Sequence, residues 1–252
     1  MEIGSALSLI ALSFPTGILI GLTGIGGAAL MTPLLILVIG ATPSLAVGTD
    51  LVYATVTKAL GAGVHWKLGH VDLRMVRTLL SASLPAGVLG ALTTSYLHRG
   101  SESDLRIAIG VVLIFVVAVL IAQRTGPEKG SSYAGKRLDL ITLACGAFVG
   151  FLVGLTSIGS GSLILPFLLL GPRLSTVRAV GTDIFHAAIL AAFTAAVHVA
   201  VGGVQWTLVP WLLAGSLPGV AIGSRLAPRL PRTALRIVLI VVLLISAFKL
   251  IA

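Results

Sequence analysis

The chain has 252 residues, of which 57% are hydrophobic and 10% are charged, and its formal net charge is +9. This composition leaves too little polar surface to cover a water-soluble globule of this length, so it predicts an integral membrane protein. The excess cations lie in short loops between apolar segments, which argues against a nucleic-acid-binding surface. A single cysteine, Cys145, excludes an internal disulfide.

Ten apolar stretches are predicted as helices, five in each half of the chain. Continuous apolar runs are typical of membrane helices, whereas barrel strands alternate over about ten residues. The second stretch of each half is too short to span, since crossing takes about twenty residues. It follows a glycine-rich turn, which predicts a re-entrant hairpin that enters and leaves on one side. The stretches are 6–22, 28–39, 45–64, 75–96, 105–123, 138–155, 160–170, 179–200, 207–224 and 233–251.

The two halves of the chain are copies of one unit. The sequence GLTGIGGAALMTPLLIL at 21–37 recurs as GLTSIGSGSLILPFLLL at 154–170, and the register of 133 residues holds as far as Gly90 and Gly223. A match of this length indicates duplication rather than shared composition. Duplicated hydrophobic halves are a recurrent architecture of secondary transporters, in which the substrate is held where the halves meet.

The basic loops group on one side of the membrane if each half crosses an odd number of times. The positive-inside rule makes that side cytoplasmic for 65–77, 124–137, 173–178 and 225–236, while 40–44, 98–106, 201–205 and both termini face outward. Merging each hairpin into one span would instead give two parallel repeats and would scatter the basic loops over both sides of the membrane. We therefore predict an all-α membrane fold of two inverted repeats, 1–123 and 138–252, joined by a cytoplasmic connector at 124–137. Each repeat has one Gly-rich broken hairpin and three spanning helices.

The glycine-rich turns are candidate sites for a small anion. Glycine permits a sharp break and leaves backbone N–H groups uncovered, and a helix that starts after the break directs its positive dipole end at the turn. Glycines at four-residue spacing, such as Gly17 and Gly21, also favour close helix packing, and the two interpretations are compatible. Hydroxyl donors would come from Thr23, Thr156, Ser157, Ser160 and Ser162.

Two aspartates are predicted to lie inside helices, near the middle of the bilayer. Helix starts at Thr42 and Ser175 put Asp50 and Asp183 roughly 10 Å into their helices. The alternative is a later start, with Asp50 or its neighbour as a cap near the surface. Because an unpaired charge inside a membrane is costly, we expect buried carboxylates to act in proton coupling or gating.

Lys58 and His186 distinguish the two copies, because the other half has Ala191 and Tyr53 at these positions. Lys58 lies about two turns after Asp50 and is a candidate to neutralise it or to attract an anion. The alternative is a snorkelling lysine that reaches the cytoplasmic interface. His186 is a candidate to pair with the aspartate three residues before it and to titrate near neutral pH. Its alternative is an ordinary hydrogen-bonded helix histidine.

These motifs resemble the TauE/SafE sulfite exporter family. The resemblance rests on the Gly-rich turns leading to Pro33 and Pro166 and on Ala-Val-Gly-Thr in both halves, and it covers nearly the whole chain. It implies an inner-membrane permease for sulfite, organosulfonates such as sulfoacetate, or another small anion. The family often has Gly-Thr-Ser where this chain has Gly-Thr-Asp, which indicates tighter proton coupling, a less anionic substrate or a cation partner. The binding residues implied are Thr23, Gly24, Gly26, Gly27, Thr49, Thr156, Ser157, Gly159, Ser160 and Thr182.

The sequence therefore predicts a proton-linked secondary transporter of a small sulfur-containing or carboxylate anion, working by alternating access in the plasma membrane. No metal-ligand spacing is present, and neither a cofactor nor an enzymatic activity is expected. The expected partners are the anion, protons and the bilayer, and homodimerisation is left open. One rival is a passive anion channel. Another is an intramembrane hydrolase with Ser160 or Ser162 as nucleophile and His186 or His198 as base.

Overall fold

The computed structural model describes residues 3–23, 28–122, 136–170, 174–226 and 232–252, and this part of the chain is helical with short turns. Most of the predicted connector lies outside the described residues. The helices match the ten predicted stretches in number and order. They are α1 (Ile3–Thr23), α2 (Ala28–Leu37), α3 (Pro43–Lys67), α4 (Leu73–Gly100), α5 (Glu102–Ala122), α6 (Lys136–Thr156), α7 (Ser160–Leu170), α8 (Thr176–Ala200), α9 (Val209–Leu226) and α10 (Arg232–Ile251).

Five of the described helices are long and apolar enough to cross a membrane, namely α4, α5, α6, α8 and α10. This set differs from the predicted three spans per half. Helix α6, predicted as part of a hairpin, qualifies, whereas α3 and α9 do not. Asp50 and Lys58 lower the hydropathy of α3, and Arg225 with several glycines lowers that of α9. The composition and these helices together indicate a multi-pass membrane protein.

In each half, a long helix is followed by a short helix. Helices α1 and α6 have 21 residues each, whereas α2 has 10 and α7 has 11. At about 1.5 Å per residue, the short helices cover only half of a roughly 30 Å apolar layer. The prediction that the second segment of each half is too short to span is therefore confirmed.

The two halves are interleaved rather than placed side by side. Helix α1 packs along α9 and α4 packs along α6, which are equivalent pairings of the two copies. Helix α3 crosses α8, and α5 packs against α10. Each of these pairings joins one half to the other, so the centre of the molecule is built from both copies.

Glycines bring the backbones of the paired helices together. A Cβ atom at Gly17 of α1 would collide with the backbone of Ser216 in α9, and one at Gly150 of α6 would collide with the backbone of Ser83 in α4. Gly154 is similarly close to α4. The packing role predicted for the regularly spaced glycines is therefore confirmed at these positions.

Candidate functional site

The two aspartates lie on the helices that cross at the centre of the molecule. Helix α3 begins directly after Thr42 and α8 directly after Ser175, so the predicted helix starts are confirmed and the later start is wrong. Neither cap residue bonds the helix N–H groups through its side chain. Asp50 and Asp183 are buried, with exposed fractions of 0% and 3%.

Hydroxyl groups from several elements surround Asp50. Thr32 on α2 donates a hydrogen bond of 2.5 Å to Asp50 Oδ2. The hydroxyl of Ser157, in the break after α6, interacts with the same carboxylate, although Ser157 Oγ and Asp50 Oδ1 form no hydrogen bond of normal geometry. The hydroxyls of Tyr53 and Ser216 interact with each other nearby, again without normal geometry. Asp50 is therefore placed among neutral oxygen groups.

Lys58 extends from α3 to the first residue of α7. Its Nζ atom donates a hydrogen bond of 2.6 Å to Ser160 Oγ, and its charge acts on both Asp183 and Asp50. The first N–H groups of a helix have no partner within the helix, so the ammonium lies beside several backbone donors. The side chain thus reaches into the interface between the halves, unlike a lysine that snorkels to the membrane surface.

A cavity of about 270 Å³ lies beside Lys58. Lys58 and Asp183 line it together with mainly apolar residues of α1, α3, α7, α8 and α9, so both halves contribute. Its size is just below the range of about 300–1,000 Å³ that holds drug-sized ligands, which suits an ion of a few atoms. Asp50 is not part of the lining.

The second glycine-rich turn has a strained backbone that orients the start of α7. Ser157 has φ of 65° and Gly159 has φ of 125°, and non-glycine residues rarely adopt positive φ. Thr156 accepts from the Ile158 N–H at 3.2 Å and donates to the Leu152 carbonyl at 2.8 Å, so its hydroxyl stabilises the break. The predicted residues of the first turn lie outside the described residues, namely the Thr23 side chain, Gly24, Gly26 and Gly27.

Thr49 and Thr182 each hold a loop of the opposite half. Thr49 Oγ1 accepts a hydrogen bond of 2.9 Å from the N–H of Gln205, and Thr182 Oγ1 accepts one of 2.9 Å from the N–H of Asp72. Neither threonine lines the cavity. The contacts of both residues therefore favour a structural role over the substrate contact that the resemblance implies, and we leave them out of the proposed site.

The glycines before these threonines admit the same loops. A Cβ atom at Gly48 would collide with the backbone of Gly203, and one at Gly181 would collide with the backbone of His70. The repeated Ala-Val-Gly-Thr motif is thus a loop-docking motif. The sequence did not indicate this role, because each docked loop lies far from its motif along the chain. The docked loops themselves recur after 133 residues, and this recurrence is visible in the sequence.

His186 bonds a serine of α4 rather than the neighbouring aspartate. Its Nε2 atom lies 2.9 Å from Ser83 Oγ. His186 Nδ1 and Asp183 Oδ1 are both buried without a hydrogen-bond partner among the described residues. The predicted pairing of His186 with Asp183 is therefore wrong, because the imidazole is turned toward α4.

The described hydrogen bonds join neither candidate nucleophile, Ser160 or Ser162, to a histidine. Ser160 bonds Lys58, and His198 Nε2 lies 3.0 Å from the carbonyl oxygen of Gly154. His198 is buried and fixes the end of α6. In the described ranges, no group of three or more histidine, cysteine or acidic side chains is placed to hold a metal ion.

The interleaved helices and the cavity that both halves line are compatible with a membrane transporter, and the family and the names of similar proteins indicate that class. The chain belongs to the family described as sulfite exporter TauE/SafE, which it matches over residues 9–250. It is 38% identical to the probable membrane transporter protein YjnA of Bacillus subtilis, over 98% of this chain and 100% of that protein.

Similar proteins also occur in other organisms. A probable membrane transporter protein of Xylella fastidiosa is 30% identical over 91% of this chain and 88% of its own length. The probable membrane transporter protein MJ0441 of Methanocaldococcus jannaschii is 30% identical over 64% of this chain and 60% of its own length. No solved structure matches the chain.

Proposed function

We propose that this membrane transporter moves a small anion by alternating access, coupled to protons, with sulfite or an organosulfonate such as sulfoacetate as its substrate. Related sulfur-containing or carboxylate anions belong to the same chemical class. The cavity beside Lys58 is the proposed binding site. Lys58 and Asp183 line the cavity, and Ser160 joins the site through its bond to Lys58. Thr156, Ser157 and Gly159 form the break that orients the start of α7.

The observation that carries this proposal is the contact between Lys58 and Ser160. An ammonium group and the free N–H groups of a helix start converge on one point, which favours an anion electrostatically and by hydrogen bonding. The two residues come from different halves of the chain. A motion of one half against the other would therefore assemble or open the site, as alternating access requires.

Proton coupling follows from the presence of Asp183 on the same cavity. A carboxylate repels an anion unless it is protonated or paired, and Lys58 cannot fully neutralise both an aspartate and a substrate. Anion binding therefore favours the protonated form of Asp183. Protons and the anion then move together.

Contacts between loops support the inverted arrangement of the two halves. Two pairs join segments that we predicted to be cytoplasmic, and two pairs join segments that we predicted to face outward. Within the described residues, none of these four pairs joins the predicted cytoplasmic side to the predicted outward side. The cytoplasmic pairs are Asp72–Arg178 at 3.3 Å and Arg74–Asp139 at 3.4 Å, and the outward pairs are Ser44–Glu102 at 2.6 Å and Arg106 with the Lys249 carbonyl at 3.0 Å.

The proposed topology places the protein in the inner or plasma membrane with both termini outside. Cysteine labelling with a membrane-impermeant maleimide checks it, using single cysteines near Ala252 and in the 124–135 connector of a chain that lacks Cys145. Labelling of intact cells is expected at Ala252 only. Labelling of the connector instead would exclude this orientation.

Transport is tested with purified protein in proteoliposomes loaded with buffer and given sulfite, sulfoacetate or thiosulfate. The Lys58→Met variant is expected to raise the anion concentration for half-maximal flux by about tenfold or more, because hydrogen bonds to charged groups contribute about 1.5–3 kcal/mol. Lys67→Met, at the exposed end of the same helix, is the matched control and keeps the wild-type value.

The same assay separates the proposal from its rivals. Uphill accumulation driven by a proton gradient is expected for the wild type and is incompatible with a passive channel. Equal flux by the two lysine variants would contradict the proposed binding site. Labelling of Ser160 or Ser162 by a fluorophosphonate would instead favour the hydrolase.

A further inference from the structure

The surroundings of Asp50 form a polar cluster that is separate from the anion cavity. The cluster consists of Asp50, Thr32, Tyr53, Ser157 and Ser216, and each of these side chains is at most 1% exposed. Asp183 lines the cavity, whereas Asp50 does not. The two aspartates are equivalent in the repeat, yet they face different spaces.

Most of this cluster carries unused hydrogen-bonding capacity. Asp50 Oδ1, Tyr53 OH, Ser157 Oγ and Ser216 Oγ are buried and make no hydrogen bond of normal geometry within the described residues. Buried polar atoms without partners are costly and therefore rare in native structures. One oxygen of the Asp50 carboxylate and three hydroxyl groups near it thus have capacity for a ligand.

The differences between the two copies favour oxygen ligands at Asp50. Thr32 corresponds to Leu165 in the other half, and Ser157 corresponds to Gly24. Helix α3 thus meets hydroxyls around its aspartate, whereas the aspartate of α8 meets the lysine of the opposite copy. Duplication alone would not put Thr32 and Ser157 in one copy only, whereas Ser216 of the cluster has Ser83 as its equivalent.

This set of atoms suits a small cation and not an anion. Hard cations take carboxylate, hydroxyl and carbonyl oxygen ligands, and the negative charge of Asp50 would repel the transported anion. Ser157 directly follows the C-terminal end of α6, where the helix dipole favours positive charge. Broken helices of other secondary transporters coordinate Na⁺ or protons in this way.

We propose that the Asp50 cluster is a second binding site, distinct from the anion cavity, for the coupling cation, and that its chemistry accepts Na⁺ as well as a proton. The proposal rests on the transport function proposed above, and it assigns cation binding and anion binding to two different sites. Asp50 binds the cation, while Lys58 and the start of α7 bind the anion. Thr32 positions the Asp50 carboxylate.

Few charged or titratable groups compete for this site. Among the described residues, those whose interaction reaches Asp50 are Lys58, on the same helix, and Tyr53. Helix α2 carries no titratable residue, and the only charged residue of α9 is Arg225 in its last turn. A cation can therefore bind Asp50 without displacing another strong partner.

Binding of ²²Na⁺ to the purified full chain in detergent at alkaline pH tests the site directly. The wild type is expected to bind Na⁺, and acidification is expected to displace it because a proton takes the same carboxylate. Asp50→Asn should abolish binding, and Thr32→Val should weaken it by about tenfold, the loss expected when a hydrogen bond to a charged group is removed. Thr142→Val is the matched control, because Thr142 is also fully buried but bonds only the Leu138 carbonyl of its own helix.

Sulfite flux in proteoliposomes then links the site to transport. A Na⁺ gradient at equal pH should drive accumulation in the wild type but not in Asp50→Asn, whereas a pH gradient in choline buffer should still drive accumulation in Asp50→Asn through Asp183. Na⁺ dependence that survives in Asp50→Asn overturns the proposal, and absence of ²²Na⁺ binding by the wild type overturns the Na⁺ assignment. Asp50-dependent ²²Na⁺ binding without any sulfite flux would keep the site and reject the proposed transport function.

Discussion

The loop-docking contacts of α3 and α8 keep the symmetry of the repeat, whereas the contacts of the neighbouring aspartates have lost it. Thr49 of α3 holds the 201–205 loop, and Thr182 of α8 holds the loop that contains Asp72 in the same way. The next residue of each helix is an aspartate, and Asp50 meets Thr32, whereas Asp183 meets Lys58. The threonines thus have equivalent partners in the two copies, and the aspartates do not.

This difference separates what the fold requires from what the ligands require. Loop docking and close helix packing depend on backbone geometry, which both copies must satisfy for the halves to interleave. The central side chains face a cavity and a polar cluster, and in the proposed mechanism they select the ion at each. A symmetric scaffold with an asymmetric centre would serve the proposed transport of two different ions.

The largest expected effect is at the docking glycines. Gly48→Ala and Gly181→Ala should each lower the free energy of unfolding by about 3 kcal/mol, the upper end for overpacking, because the obstacle is backbone. Gly63→Ala in α3 is the control, since its Cβ would have no neighbour within 4 Å. Chemical unfolding in detergent measures all three. A large effect in only one of the two helices would contradict the symmetry inferred for loop docking.

A smaller effect is expected at Lys58, and the two aspartates near it should respond differently. Lys58→Met should cost about 2 kcal/mol by leaving Asp183 without its cation, less than for a fully buried pair because Lys58 reaches the cavity. Adding Asp183→Asn should restore most of this loss, whereas adding Asp50→Asn should not. Unfolding of the single and double variants checks the prediction, and equal rescue by both aspartate changes would contradict the asymmetry.

The smallest expected effect is at the docking threonines. Thr49→Val and Thr182→Val each remove one hydrogen bond to a loop N–H and should cost about 1 kcal/mol. Thr142→Val again serves as the control and should be near neutral. Hydrogen exchange at Gln205 and Asp72 should rise in the matching variant only. Unchanged exchange at both loops would show that the threonines do not hold them.

Much of the fold was predictable from the sequence because hydropathy, glycine turns and helix starts act locally. The ten helices and the break before Ser160 follow from these signals. The equivalence of the halves was also predictable, since the register is long. The burial of Asp50 and Asp183 followed from counting residues along helices whose starts are marked by Thr42 and Ser175.

The partners of the central residues were not predictable, because they come from distant segments. The contact between Lys58 and Ser160 depends on how α3 of one half meets α7 of the other. The orientation of His186 toward Ser83 depends on the packing of α4 against α8, and spacing along one helix could not indicate it. Rotation of a helix about its axis is set by packing, and the apolar stretches here have little amphipathic pattern.

The pairing of α1 with α9 constrains how the protein can be made. The glycine face of α1, including Gly17, is covered by the second-to-last helix of the chain, so it enters the bilayer long before its partner is synthesised. Until then, lipid must occupy the groove that α9 later fills. Helices α2 to α8 must therefore be synthesised before α1 can pack against its partner, and a truncation before α9 should leave α1 exposed to membrane quality control.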